Sequence, residues 1–257
     1  MEFGQMLDES FNYAKESVWG KWTKWLLLLV SLIIFPLIIG YMVRIYRGEK
    51  PAPELKEWGS MFIDGLKLLV IEIIYAAPVI LLVIAAFLPL VSTLITSGAF
   101  NVNFAGMSEA QAQQWFMSHP EFISAAGLMM IFILLAVIFA IFITIFSFIG
   151  SVRFARTGKI SEAFNFSAIL AQIRRIGWIN YIVALLIICV IGFVFGMIFN
   201  FLSFIPVIGC IIGLVVMVIL YVPFIVFTSR YTALVYECGE EKVPVTPESP
   251  ETITHIQ

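Results

Sequence analysis

Apolar residues gather in five long runs, approximately residues 25–43, 68–95, 123–152, 178–204 and 207–227, separated by shorter stretches that carry nearly all the charge. A helix crossing lipid needs about 20 such residues, because its own backbone hydrogen bonds are the only ones available there. The runs predict an all-α polytopic transmembrane bundle. Pro36, Pro78 and Pro89 fall inside runs, where kinks are expected.

Helical periodicity also appears outside the runs. Trp58, Phe62, Leu66 and Leu69 recur along one stripe, as do Phe166, Ile169, Leu170, Ile173 and Ile176, and Leu7, Phe11, Ala14 and Val18. Polar residues occupy the other faces, so three amphipathic helices are expected, lying along the membrane interface or packed on the bundle's own end. Ser108-Glu-Ala-Gln111 is a capping-box pattern, predicting a short helix that ends before Pro120 and carries Trp115 and Phe116 to the opposite interface. Residues 239–257 are acidic and hold Pro244, Pro247 and Pro250, the composition of a disordered tail.

A motif recurs at the ends of two runs. Gly40 is followed by Arg44, Arg47 and Gly48, and Gly150 by Arg153, Arg156 and Gly158, each leading into an amphipathic stretch and another apolar run; Arg230-Tyr231 is a weaker third copy.

Composition and charge sharpen the class. With 61% hydrophobic and 12% charged residues, and a mean hydropathy of +1.02, the 257-residue chain has too much apolar surface for one aqueous core. A soluble enzyme, a nucleic-acid partner and a disulfide scaffold are excluded on this ground. Lys and Arg cluster after the first and third runs, whereas residues 97–122 contain none. Basic loops are retained in the cytoplasm, so residues 97–122 and the turn at 205–209 should face outside and the tail inside. A single crossing by residues 25–43 would strand Lys15, Lys21 and Lys24 outside, while a re-entrant hairpin at Pro36 places all fifteen basic residues on one side. Length favours the crossing; charge favours the hairpin. The first run starts only at Trp25 with no A-x-A site after it, so no cleavable leader is expected.

Candidate chemistry is sparse. Glu72 is the carboxylate inside an apolar run, and an ionisable group at that depth is a candidate for an ion pathway. Its position one turn past Leu68 also lets it reach headgroups, Lys67 or the exit arginines. Arg44, Arg47, Arg153, Arg156, Arg174 and Arg175 could contact anionic lipid, or could serve topology alone. Gly192-x-x-x-Gly196 and Gly209-x-x-x-Gly213 permit close helix approach, most simply between the fourth and fifth helices of one chain. Cys189, Cys210 and Cys238, with His119 and His255, form no ligand spacing, and no hydrolase, Walker or dinucleotide motif occurs. No cofactor is called for, membrane lipids and a membrane protein are the expected partners, and no enzyme activity is expected.

The stretch from Pro36 through Gly40, Tyr41 and Arg44, then Trp58-Gly59, Phe62 and Asp64-Gly65-Leu66-Lys67, resembles an archaeal family of multi-pass membrane proteins of unknown function. Gly158-Lys159, Ala163-Phe164 and Ile205-Pro206 continue the likeness, which reaches to about Gly239. The resemblance implies a polytopic protein of the cell membrane and assigns no residue a role. Residues 97–122 form a longer loop than the family pattern.

Overall fold

The computed structural model describes residues 2–203 and 208–240, without the side chains of residues 199, 202, 203, 208–212, 214, 215 and 217. The turn at 205–209, Cys210 and the tail from residue 241 therefore fall wholly or largely outside what is described. Among the described residues there are ten α-helices, two short 3-10 turns and no strand. The helices are α1 (Phe3–Val18), α2 (Trp22–Ile33), α3 (Phe35–Tyr46), α4 (Trp58–Thr96), α5 (Glu109–Met117), α6 (Glu121–Thr157), α7 (Ile160–Ala163), α8 (Phe166–Ile176), α9 (Trp178–Ser203) and α10 (Ile208–Glu240).

Four of them, α4, α6, α9 and α10, are long and apolar enough to cross a membrane. At 1.5 Å per residue, α4 with its 39 residues is about 58 Å long. A hydrocarbon core is about 30 Å thick, so such a helix also extends well beyond it. The amphipathic stretch beginning at Trp58, expected as a separate surface helix, is instead the opening of α4, because no breaker separates it from the apolar run. The last apolar run likewise does not end near residue 227: α10 continues unbroken through Pro223 to Glu240.

The first apolar run is two helices rather than one straight crossing. The break falls at Ile34 (φ −95°, ψ 76°), and Pro36 sits in the first turn of α3, where its missing N–H costs nothing. Twelve residues each give α2 and α3 about 18 Å, too short to span. Lys24 at the start of α2 donates to the Ala52 carbonyl at 3.1 Å, just past the exit of α3, and its ammonium lies 5.9 Å from the Tyr41 ring centre. The two helices thus double back as a hairpin.

The chain divides into two compact units. One comprises residues 2–68 with the described residues from Ile149 onward. Its centre is the second half of α10, where Val226, Arg230, Tyr231, Ala233 and Val235 are fully buried. Around it pack α1, α2, α3, α8 and α9. α1 buries Met6, Ser10, Tyr13, Ala14 and Ser17, while Phe11 stays exposed. α8 buries Ile169, Gln172, Ile173 and Ile176, and Gln172 Nε2 donates to the Tyr236 carbonyl of α10 at 2.8 Å. Tyr231 of α10 donates its hydroxyl hydrogen to the Ala184 carbonyl of α9 at 3.2 Å, and Phe195 stacks on Phe224 with centroids 3.9 Å apart.

Two glycines set the closest helix crossing in this unit. A Cβ on Gly40 of α3 would stand 1.8 Å from the Met61 carbonyl oxygen of α4, and one on Gly65 would stand 1.8 Å from the Pro36 carbonyl oxygen. The backbones touch through the absence of both side chains, the packing that small residues permit in membrane helices. Gly192 and Gly196 behave differently: a Cβ on either meets nothing within 4 Å. Among the described residues, the α9–α10 contact includes the aromatic stack and the Tyr231 hydrogen bond, and nothing described packs against Gly192 or Gly196; Gly209 lies outside the described side chains.

The other unit spans Leu69–Phe148. It holds the apolar lengths of α4 and α6 and, between them, 3-10 turns at Ala99–Asn101 and Phe104–Gly106 and the helix α5. Ser108 caps α5 as the sequence pattern requires, its Oγ accepting from the Gln111 N–H while the Gln111 side chain accepts from the Ser108 N–H. Trp115 is the hub of an aromatic cluster, stacked on His119 at 4.1 Å and edge-on to Phe104 and Phe116. Only 6% of the most apolar window of α6 is buried within the chain, so lipid or another protein must cover the rest.

Candidate polar site at the basic helix ends

The C-terminal turns of α3 and α6 carry the recurring arginine pairs, and the two turns exchange them. Arg47 of α3 donates Nε to the Ala155 carbonyl at 3.1 Å, and Arg156 of α6 donates Nε to the Tyr46 carbonyl at 2.7 Å. The last carbonyls of a helix have no intrahelical donor and carry the negative end of its dipole, so a guanidinium from a neighbouring helix end is a matched partner. Each helix then stops at a left-handed glycine, Gly48 (φ +86°) after α3 and Gly158 (φ +72°) after α6. At Gly48 a Cβ would also press the Arg156 guanidinium and the Glu237 carboxylate at 3.0–3.1 Å. The repeat read from sequence is thus a reciprocal latch.

Other guanidinium donors find local acceptors, although the buried Nε of Arg153 has no hydrogen-bond partner among the described residues. Arg44, 9% exposed, donates Nη1 to the Glu54 carbonyl at 3.1 Å and Nη2 to Ser60 Oγ at 3.3 Å, with the Glu57 carboxylate 3.7 Å away. Arg47 meets Asp64 at 2.5 Å, and Lys67 stands 3.7 Å from the same carboxylate. Arg153 pairs with Glu162, whose carboxylate also accepts from Asn165 Nδ2, and Asn165 Oδ1 in turn caps α8 at the Ala168 N–H. Hydrogen bonds from Arg153, then Asn165, hold the Glu162 carboxyl below the usual glutamate range.

A second chain of charges runs through the core. The Arg230 side chain is fully buried on α10 and donates to Glu9 of α1 at 2.6 Å and to Glu237 at 3.4 Å. Glu237 also receives Arg156 at 2.6 Å, and Glu9 receives Lys50 at 2.6 Å. Lys50, Glu9, Arg230, Glu237 and Arg156 therefore form one alternating line that ties α1, the segment after α3, α6 and α10 together. Burial works to raise the Glu9 carboxyl, but hydrogen bonds from Lys50 and Arg230 outweigh it and the group is held below its ordinary range. Tyr13 completes the arrangement, its ring 5.5 Å from the Arg230 guanidinium and its hydroxyl donating to the Glu49 carbonyl at 2.9 Å. Burial raises its phenol, the Arg230 charge partly opposing.

Of the six arginines singled out in the sequence, Arg44, Arg47, Arg153 and Arg156 are engaged by protein acceptors. Arg174 and Arg175 lie in the last turn of α8, exposed, and no described carboxylate pairs with either. Glu72 lies on an exposed side of α4, while Ile71 and Tyr75 beside it are buried. Sequence reasoning missed Glu9, Arg230 and Glu237 as a set. The spacing of seven between Arg230 and Glu237, two helical turns on one face, was an available signal. Glu9 had none. Among the described residues, no three His, Cys, Asp or Glu side chains are grouped to hold a metal ion.

Both arginine turns of the polar site lie within residues 25–204, the stretch that matches a family model described as protein of unknown function (DUF4013), while Glu9, Arg230 and Glu237 lie outside it. Compared with curated proteins and with solved structures, the chain has no significant match in either set. The match covers more than half of the chain and includes the α3–α4 glycine crossing and both arginine turns, so the chain belongs to this family of unknown function.

Proposed function

We propose that the protein is a non-enzymatic, multi-pass component of the cell membrane, archaeal in origin, that organises lipid or a partner protein through helices on its basic side. The supporting observation is the distribution of ordered polar chemistry. Charged groups with defined partners concentrate in the unit built from α1, α3, α8 and the ends of the long helices. The apolar windows of the four long helices carry almost no ionisable groups that could relay an ion. Cytoplasmic placement of the basic side follows from the retention of Lys and Arg there.

Mass spectrometry of the protein extracted with its surrounding native lipid tests the reading. Retention of a stoichiometric protein partner or of anionic lipid is expected. A chain that emerges with neither overturns it in favour of the alternative, a small transporter or channel with Glu72 in its route. In that case Glu72→Gln abolishes ion-coupled flux in vesicles, whereas the organising role leaves Glu72→Gln without effect.

A further inference from the structure

We infer that Arg174 and Arg175 form a phosphate clamp for an anionic lipid headgroup, at the corner where α8 turns into α9. The inference rests on the proposed lipid-organising role and narrows it to one place. Both arginines are exposed and lack a carboxylate partner among the described residues, whereas the four arginines of the recurring motif are all engaged within the protein.

Their position fixes the ligand's depth. Gly177 (φ +95°) makes the corner, and Trp178, the first residue of a helix long and apolar enough to cross a membrane, follows directly. Trp178 is 45% exposed and Ile179 82% exposed, a Trp-led apolar entry of the kind found at headgroup level. The guanidinium groups, three and four residues earlier, fall in the phosphate layer.

Their direction is also fixed. Gln172, Ile173 and Ile176 of α8 are buried, Gln172 is bonded to Tyr236, and a Cβ on Gly239 of α10 would stand 3.0 Å from Ile176. α8 therefore cannot roll to bury its arginines, which leave the helix on its exposed side, and each guanidinium presents a planar fork suited to a phosphodiester. At the opposite end of α8, Phe166 is 49% exposed, a second apolar contact for a helix lying in the interface.

The test places the full chain in nanodiscs of phosphatidylglycerol and phosphatidylcholine and measures, by native mass spectrometry, the fraction of chains that keep a phosphatidylglycerol molecule. Arg174→Gln with Arg175→Gln is expected to lower that fraction about tenfold. Arg174→Lys with Arg175→Lys keeps the charge without the fork and lowers it by less. Lys15→Gln with Lys21→Gln removes the same charge from the α1–α2 end and leaves it unchanged, and all variants keep the wild-type thermal transition. An unchanged fraction in the glutamine pair overturns the assignment, whether the arginines are then covered by residues 241–257 or by a protein. An equal loss in the Lys15/Lys21 pair also overturns it, since a diffuse field and not a site would then hold the lipid. A wild-type chain with no preference for phosphatidylglycerol speaks against the lipid-organising role itself.

Discussion

Gly65 and Gly59 stand six residues apart in the same Trp-Gly…Asp-Gly stretch, yet the structure asks opposite things of them. At Gly65 a methyl group would collide with the Pro36 carbonyl of α3, and at Gly40 with the Met61 carbonyl of α4, while at Gly59 it would meet open space. Gly65→Ala and Gly40→Ala should therefore each cost the upper part of the about 1–3 kcal/mol typical of overpacking, because backbone cannot yield as a side-chain tip can. Gly59→Ala should be neutral or slightly stabilising, since alanine is the better helix former. Thermal unfolding in detergent checks all three, and a harmless Gly65→Ala would disprove the crossing. The charged line gives a second contrast. Glu237 is the acceptor shared by Arg156 and the fully buried Arg230, which keeps Glu9 as its closer partner, so Glu237→Gln should lower stability by about 1–3 kcal/mol, the cost of weakening hydrogen bonds to charged groups. Glu9 is partly exposed, and its variant should show mainly in pH dependence. Its folded carboxyl titrates below the unfolded one, so its contribution is complete above the ordinary glutamate range and is lost as pH falls through the folded value. The thermal transition of the wild type should drop through that acidic window, and Glu9→Gln should flatten this part of the profile.

Stripes of large apolar residues marked three amphipathic stretches and left open whether each stripe faces the membrane interface or packs on the bundle; the structure answers differently for each stretch. On α1 the stripe is split, with Phe11 outward and Ala14 inward beside Ser10, Tyr13 and Ser17; on the opening of α4, Trp58, Phe62 and Leu66 are outward and Met61, Gly65 and Leu68 are inward. In water the most apolar face is the one a helix hides, but beside lipid that face has no reason to turn inward. Small and hydrogen-bonding residues then line the internal contact, where backbones approach and hydroxyls bond the carbonyls of their own helix, as Ser10 Oγ donates to the Met6 carbonyl at 2.7 Å. On α8 the rule of the aqueous core held for Ile169, Ile173 and Ile176, because that face meets α10 and not lipid. The apolar runs were legible from length and composition. Where they stop was not, since α4 and α10 pass through polar sequence without a breaker while α2 and α3 part at a proline. The arginine repeat was visible as spacing, but its reciprocity joins carbonyls more than a hundred residues apart, which no local pattern encodes.

At the scale of the molecule, four helices are long and apolar enough to cross a membrane, and the first apolar run forms two shorter helices; if all four cross, α1 and the end of α10 are expected on one side. The hairpin is the arrangement that charge favours over length: Lys24 is bonded beside the exit of α3, next to the loop that carries Lys50 and Lys56. Tyr13 of α1 reaches the same loop at Glu49, and Glu9 reaches Lys50, so two polar contacts hold α1 beside the exit of α3. Single cysteines introduced at Lys15, Lys159 and Gln113, in a chain whose native cysteines have been replaced, should therefore separate two to one under a membrane-impermeant thiol reagent in whole cells. Gln113→Cys, on α5 in the segment without basic residues, should label from outside, and Lys15→Cys and Lys159→Cys should label only after the membrane is opened. Labelling of Lys15→Cys together with Gln113→Cys would require α1 to leave Arg230, because the fully buried guanidinium that Glu9 engages sits at the basic end of α10. The topology and the charged line thus stand or fall on one experiment.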